Sequence, residues 1–488
     1  MNYLYSGFFS SCLSLPIVFM ATMASSDSLS AEKEPAELVV DVKKVISNVE
    51  RKPGGFLTCW LLDSDKNRPR KTPLVEVYKN LGVQSVRFPF GHLSNNYMWT
   101  SPPYDKAKEG LTPRVATMSK PPGSFSWSTN PDGTFKKDLD FDEFMEQCKD
   151  AKLEPVIVIN VLSHKYEGGP TLDTLFESAV EWVRYSNITQ KYGVKYWQLG
   201  NEQEHHSDEM SLDEYVKIYG RFAKAMKSVD PTIKTGVALI SNRSWATKIL
   251  KTHPELVDFI GCHQYQWSGW SIDAWKKKKS AMIPNVLGIN RLLDEYSRSD
   301  IEIMVTEMSS FGKWFDGKGG AADMTRGLCF AEMLLHACSV SRVAYTHFWT
   351  THNAWLGEDA DGQLCSALDA ENNPRTNGRI IGLVNLNLDD VMVETPRVVG
   401  HLRVFASCSK DQSQATVFII NKNNEPIEIA LDVKEFSVKK VLSRTALVGK
   451  SYQDLNPQKI VDEKADVQGG KVTTTIPGIS LSILKLEL

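Results

Sequence analysis

The chain has 488 residues, of which 42% are hydrophobic, 24% charged and 10% aromatic, and its 56 basic and 59 acidic side chains leave a net charge of −3. This composition excludes disorder, collagen-like repeats and coiled coil. The near balance of charge argues against the basic face that a nucleic-acid binder presents. The length suits one large α/β domain followed by a smaller one.

The N-terminal region carries an apolar run, Leu13 to Ala24 (LSLPIVFMATMA), followed by a polar stretch. It is shorter than the roughly 20 residues needed to cross a bilayer, so no stable membrane insertion is expected. The run suits the core of a secretory signal cleaved after Ala24, which makes residues 1–34 a signal and linker and the protein secreted or lumenal. Two features bear on the opposite reading: no Lys or Arg precedes the run, and translation from Met23 would leave a cytoplasmic chain. Asn187-Ile-Thr and Asn242-Arg-Ser have the pattern of glycosylation acceptors.

Residues 35–52 include AELVVDVKKVI, a strand pattern placed to pair with a later sheet. From 53 to 395, short apolar runs alternate with amphipathic segments, the pattern of βαβ units. Strands are expected at Phe56–Leu61, Ser85–Phe88, Pro155–Val161, Lys195–Leu199, Ile233–Val237, Phe259–Cys262, Ile303–Val305 and Val343–Phe348. Helices are expected at Pro73–Leu81, Phe141–Lys152, Leu172–Tyr192, Leu212–Val229, Ser244–His253, Val286–Tyr296 and Ala322–Ala337. Eight such repeats predict a (β/α)8 TIM barrel. An open doubly wound sheet competes, but no GxGxxG turn follows the first strand. Residues 396–488 change character: period-two runs rich in Val, Ile and Thr predict an appended antiparallel β-sandwich.

The eight cysteines form no CxxC pair, so a zinc knuckle or redox motif is not expected. They are too sparse for a disulfide scaffold, though one or two bridges are compatible with them. Cys59, Cys262 and Cys329 lie inside apolar segments, where a buried free thiol is the plain reading.

In a parallel barrel, chemistry is carried at the C-terminal ends of the strands. The fourth strand runs into Asn201-Glu202 and the seventh into Glu307. Two carboxyls over one opening are what glycosidic cleavage needs: one protonated to serve the leaving oxygen, one ionised to attack the anomeric carbon. Their surroundings must push their proton affinities apart. Arg87, ending the second strand, can supply the positive charge that keeps one of them ionised. Glu204, His205 and His206 follow the fourth strand, but adjacent histidines on an extended backbone do not readily share an ion and no HExxH is present. The Lys276–Lys279 run reads as a solvated face, and the long segment from Trp99 to Trp127 as a loop walling the cleft.

VRFPFGHLSNNYMW, YWQLGNE, His263-Gln-Tyr265 and VTEMSS together resemble clan A of the retaining glycoside hydrolases, and most nearly the α-L-arabinofuranosidases of glycoside hydrolase family 51. The likeness runs from about Val39 to the C-terminus. It departs in two places: Pro89-Phe90-Gly91 stands where a PGG is expected, and Met308 follows the second glutamate where an aromatic is common. The resemblance implies Glu202 as general acid/base and Glu307 as nucleophile. It further implies that Asn201 binds the sugar 2-hydroxyl, that Arg87 and Tyr265 support the nucleophile, that His263 lines the pocket, and that Trp349 forms a stacking platform. An oligosaccharide or polysaccharide is the implied partner, with no cofactor, metal or nucleic acid, and oligomeric state is left open. An endo-acting agarase-like or β-xylosidase-like enzyme and an inactive carbohydrate-binding protein are the competing readings. The expected separation of the two carboxyls is about 5–5.5 Å, that of a retaining enzyme, rather than the roughly 6.5–9.5 Å of an inverting one.

Overall fold

The computed structural model describes residues 34–49, 51, 54–100, 136–166, 168–240, 243–266, 271–310, 322–354, 365–462 and 465–488. The signal-like run, Asn242 and the wall segment from residue 101 lie outside them. A long first strand, β1 (Ala36–Asn48), precedes eight parallel strands that close in chain order. They are β2 (Gly54–Leu57), β3 (Ser85–Phe88), β4 (Glu154–Ile159), β5 (Tyr196–Leu199), β6 (Lys234–Leu239), β7 (Phe259–Tyr265), β8 (Glu302–Ser309) and β9 (Val343–Phe348). Their continuous apolar character follows from burial on both faces, with helices outside and the barrel core inside.

The surrounding helices are α1 (Leu74–Asn80), α2 (Phe141–Ala151), α3 (Leu172–Val183), α4 (Leu212–Val229), α5 (Arg243–Thr252), α6 (Ile272–Lys277), α7 (Pro284–Glu295), α8 (Met324–Cys338) and α9 (Thr376–Asn387). Local chemistry explains several starts. Asp140, Thr171, Ser211 and Asp323 each accept a hydrogen bond from the backbone N–H three residues on, satisfying a donor the helix cannot.

Three differences from the sequence pattern have physical causes. The expected helix over Leu172–Tyr192 ends at Val183 and widens into a π-turn, Arg184–Thr189. There the Asn187 side chain accepts from Val194 N at 2.8 Å and donates to Val194 O at 2.9 Å, replacing helical partners. The same amide nitrogen donates to Asp230 at 2.7 Å, so Asn187 is committed to the fold rather than presented as a glycosylation acceptor. Strands β7 and β8 run past their apolar stretches because His263, Gln264 and Tyr265 pair in register with Glu307, Met308 and Ser309. Helices α6 and α9 escape a periodicity reading, α6 by its brevity and α9 by its Gly and Asn content.

The remaining strands are β10 (Val391–Glu394), β11 (Val398–Val399), β12 (Leu402–Cys408), β13 (Gln414–Asn421), β14 (Ile427–Val433), β15 (Lys440–Val448), β16 (Gln458–Asp462), β17 (Asp466–Gln468), β18 (Lys471–Ile476) and β19 (Ser480–Glu487). With β1 they form an 11-stranded sheet. It is antiparallel except where Ala36–Val40 of β1 runs parallel to β14, and the later part of β1 pairs antiparallel with β10. The sheet therefore takes in residues 391–394, which the sequence pattern groups with the barrel; Val393 lies in the sandwich core.

Strands β12, β13 and β19 are buried on both faces. Val404, Val417, Ile419 and Leu484 face the sandwich core. Their alternates Phe405, Phe418, Ile420 and Ile483 join the barrel core. One continuous apolar contact thus joins sandwich and barrel. Seven cysteines are described, all of them buried and none in a disulfide. No helix among the described residues is long and apolar enough to cross a membrane.

Phe418→Ala should cost about 3–5 kcal/mol by opening a cavity at this joint. Urea unfolding is expected to show the loss in one cooperative transition, because the joint belongs to both cores.

Candidate active site

The C-terminal ends of β3, β5, β7 and β8 bring six of the predicted residues together, and Arg87 organises them. It is fully buried. Its Nη1 donates to Glu307 Oε1 at 2.9 Å and to Thr306 O at 3.3 Å, its Nε to Gln198 Oε1 at 3.0 Å, and its Nη2 to Asn201 Oδ1 at 2.5 Å. A buried cation is tolerated only when its donors are met and its charge is paired. Here one guanidinium spans the two strand ends that carry Asn201 and Glu307. Because Arg87 occupies Asn201 Oδ1, the amide is fixed with Nδ2 turned away, and that buried nitrogen has no partner among the described residues.

Glu307 is 4% exposed. Its Oε2 accepts from the Tyr265 hydroxyl, while its Oε1 holds Arg87. Burial, with Glu307 beside it, raises the Tyr265 phenol well above its ordinary value, so it stays a donor. Gly91 is required here by close approach: a Cβ at that position would stand 2.1 Å from Glu307 Oε1.

Glu202 follows a sharp turn in which Gly200 has φ +77° and Glu202 itself φ +51°. A glutamate in the left-handed region costs about 1–3 kcal/mol, and such strain concentrates at functional positions. The Glu202 backbone is held by its N–H donating to Ala238 O at 3.1 Å. Its side chain stays 19% exposed, unlike its neighbours. Burial raises its pKa above the ordinary 4.5, opposed by His205, Arg87 and His206. One of its carboxyl oxygens lies within 4.8 Å of one on Glu307.

His263 stands between the two carboxyls, with Nδ1 2.5 Å from Glu202 Oε1 and 3.4 Å from Glu307 Oε2. Burial lowers its pKa to about 4, so the ring is neutral near pH 7. Nε2 is buried without a partner among the described residues. A proton there would be an unmet donor, so the ring proton is assigned to Nδ1. Nδ1–H then donates to Glu202 Oε1, which leaves the outer oxygen, Oε2, as the one open to a proton. His205, largely exposed, lies 3.6 Å from that outer oxygen.

Glu202, His263 and Glu307 have the residue types and proximity of a metal-ligand set. The buried guanidinium bonded to Glu307 opposes a cation there, and the direct His263–Glu202 contact already uses the ligand atoms. The donor set fits proton transfer better than metal binding. Glu204 instead accepts from Ile240 N, and His206 bonds Glu209 at 2.7 Å while stacking on His92. Those side chains diverge and share no ion.

Trp349, the seventh predicted residue, directly follows β9, is 5% exposed and packs against Phe90 with ring centroids 6.2 Å apart. It forms wall more than open platform. Sequence reasoning missed Gln198 and Gly91. A glutamine inside a buried strand was the available signal for the first. A recess of about 490 Å³ at the opposite end of the barrel is lined by Arg51, Glu302 and Arg342. Its charges are already paired, Arg51 with Glu302 at 3.1 Å and Arg342 with Asp294 at 2.8 Å, which leaves the chemistry at the strand C-termini.

Comparisons with known proteins give matches to sequence and fold. The sequence profile of the alpha-L-arabinofuranosidase 1 domain matches residues 77–281. Over 188 residues the chain is 31% identical to a probable alpha-L-arabinofuranosidase C of Aspergillus clavatus, covering 35% of this chain and 32% of the relative. It is 27% identical over 217 residues to an intracellular exo-alpha-(1->5)-L-arabinofuranosidase of Acetivibrio thermocellus, covering 41% and 40%. The match thus spans about a third of the first relative's length. The crystal structure of alpha-L-arabinofuranosidase from Thermotoga maritima in its arabinose complex superposes with a TM-score of 0.70 at 18% identity, covering 93% of this chain and all of that one. The chain is therefore similar in part of its sequence to α-L-arabinofuranosidases and shares the fold, barrel and sheet domain, of the Thermotoga maritima structure.

Arg87→Met should destabilise the protein by about 3–5 kcal/mol, because Glu307 would be left as an unpaired buried charge. Guanidinium denaturation at neutral pH measures it.

Proposed function

We propose that the chain is a retaining glycoside hydrolase that releases L-arabinofuranosyl units from oligosaccharides or polysaccharides by double displacement. The observation that carries this reading is the pair Glu202–Glu307, closer than 4.8 Å and in unlike surroundings. The spacing suits direct attack, since an inverting pair stands about 6.5–9.5 Å apart to admit water. The sugar is supported by the names of the relatives and by the profile match.

Glu307, its charge stabilised by Arg87 and Tyr265, supplies the oxygen that bonds the anomeric carbon as the glycosidic C–O bond breaks. The leaving oxygen takes the proton from Glu202 Oε2. Water then gives a proton to Glu202 while its oxygen attacks the anomeric carbon, and the Glu307 carboxylate departs. Asn201 Nδ2, oriented by Arg87, is placed to donate to a sugar hydroxyl, a contact that strengthens as charge develops at the ring. His263 holds the inner oxygen of Glu202 so that proton exchange is confined to the outer one.

Glu307→Gln should abolish turnover of aryl arabinofuranosides; because it also leaves buried Arg87 without its carboxylate, turnover is read per folded molecule, with circular dichroism giving the folded fraction, and normal turnover in that variant would end the assignment. Glu202→Ala should slow substrates with poor leaving groups by about 10²–10⁴-fold and activated aryl glycosides far less at the first step. Side-by-side assays on arabinofuranoside, xyloside and galactoside substrates test the sugar, and product lengths from a polymer separate exo from endo action.

The pH profile follows from Glu202. The acid form works, so kcat/KM should fall as pH rises through its free-enzyme pKa, at a midpoint above 4.5. Removing the His205 imidazole should move that midpoint upward, because a protonated His205 favours the Glu202 carboxylate.

A further inference from the structure

The β-sandwich also reaches the catalytic end of the barrel through a buried charged cluster. Helix α6 lies in the β7–α7 connection, which leaves β7 directly after Tyr265, the residue whose hydroxyl holds Glu307. The two ends of this connection are stitched together beside the site. Gln266 Nε2 donates to Met282 O at 3.0 Å, and Asn285 Nδ2 donates to His263 O at 2.8 Å.

A helix of six residues leaves most of its C-terminal carbonyls without helical donors. The Lys278 N–H caps Ala274 O and Trp275 O, and two cations from the sandwich side add side-chain donors at this end. Lys422, just past β13, donates to Trp275 O at 3.1 Å, and Arg403 of β12 donates to Lys278 O at 2.5 Å. Both face Glu332 of α8, Lys422 at 2.6 Å and Arg403 at 3.3 Å. Trp275 Nε1 donates to the same carboxylate at 3.0 Å. None of the three charged side chains is more than 2% exposed.

Two buried cations against one carboxylate leave an excess positive charge. The carbonyl ends of α6 offset it, since a helix C-terminus carries partial negative charge. Apolar side chains of equal volume would fill this space without the desolvation cost. Packing alone therefore does not account for the cluster; the capping of α6 does.

Resting on the glycosidase reading, we infer that Lys422 and Arg403 are positioning residues for the active site, fixing the β7–α7 connection beside Tyr265 so that the sandwich sets how tightly an oligosaccharide is held beyond the cleaved sugar. The cluster acts through the backbone of α6 and touches no reacting atom.

The test uses the full chain, with Lys422→Met, Arg403→Lys, and the double variant Lys422→Met/Glu332→Leu. The double variant removes Lys422 and Glu332 together and leaves Arg403, still held by the Lys278 carbonyl, as the one buried charge of the cluster. Hydrogen–deuterium exchange is followed over residues 271–283, and kinetics are measured on an aryl arabinofuranoside and on an arabinan-derived oligosaccharide. Exchange in that segment is expected to rise about 10-fold or more in Lys422→Met and in the double variant, whatever their melting temperatures. KM for the oligosaccharide should rise about 5–10-fold, with the change falling on KM rather than kcat. Arg403→Lys, which keeps the charge but loses the fork, should fall between these and the parent. Parental exchange over 271–283 in Lys422→Met and the double variant would overturn the inference. So would raised exchange with an unchanged oligosaccharide KM, or a loss of kcat that merely tracks the unfolded fraction. A parent chain that turns over no glycoside defeats the proposed function instead, and the exchange measurements still judge the clamp.

Discussion

The site depends on a guanidinium placed where a charge is expensive. Moving a cation from water into a protein interior costs several kcal/mol even after relaxation, and Arg87 has no exposed surface over which to spread that cost. Its stability there requires a full set of acceptors, and the acceptors are the parts of the site. Asn201 Oδ1 takes one amino group, Glu307 Oε1 the other, and Gln198 Oε1 the Nε–H. Satisfying Arg87 and assembling the site are thus one physical requirement. The requirement also orients Asn201, since an acceptor committed to Arg87 leaves only the amide nitrogen for a ligand.

The asymmetry between the two glutamates comes from how each meets its surroundings. Glu307 is enclosed, with a cation on one oxygen and a phenol on the other, and Gly91 leaves the space it occupies. Glu202 sits at the rim on a strained backbone, with a neutral imidazole on its inner oxygen and the exposed His205 near its outer one. Desolvation penalises charge at Glu202, whereas Glu307 has direct donors that reward it. Two identical side chains close to one another thus meet unlike surroundings, which is what the proposed double displacement asks of them. His263 contributes by staying uncharged: a cationic ring there would favour the carboxylate of both partners and erase the difference.

The barrel strands and both glutamates were legible in the sequence for a single reason. A buried parallel strand reads as an apolar run, and an acidic residue directly after it has few places to be except the mouth. Arg87 was legible because a charge between Val86 and Phe88 needs a partner. The limits of the reading follow the same logic. It ended β7 and β8 where polar residues begin, although His263 and Glu307 continue the ladder as cross-strand neighbours. It grouped Val391–Glu394 with the barrel because no composition change marks them, while their partners lie in β1 and β12. It saw no need for Gly91, because the atom that excludes a side chain there belongs to Glu307, far along the chain. Glu204, His205 and His206, adjacent in the sequence, likewise separate only in space, where each turns to a different neighbour.

Buried charge recurs at the domain joint under the same constraint but with a different resolution. Phe405 and Phe418 would hold sandwich to barrel by apolar contact alone. Glu332, Lys422 and Arg403 add little net stability to such a joint, because desolvation consumes most of their attraction. What apolar contact cannot provide is direction: a flat hydrophobic face tolerates sliding, whereas a carboxylate met by two cations and an indole N–H fixes one arrangement. The carbonyls bound by those cations belong to the segment leaving β7 after Tyr265. Orientation at the joint is therefore transmitted to the strand that carries His263 and Tyr265. Arg87 fixes β5 and β8 from within the barrel, and the sandwich cations hold α6, in the connection that follows β7, from outside it.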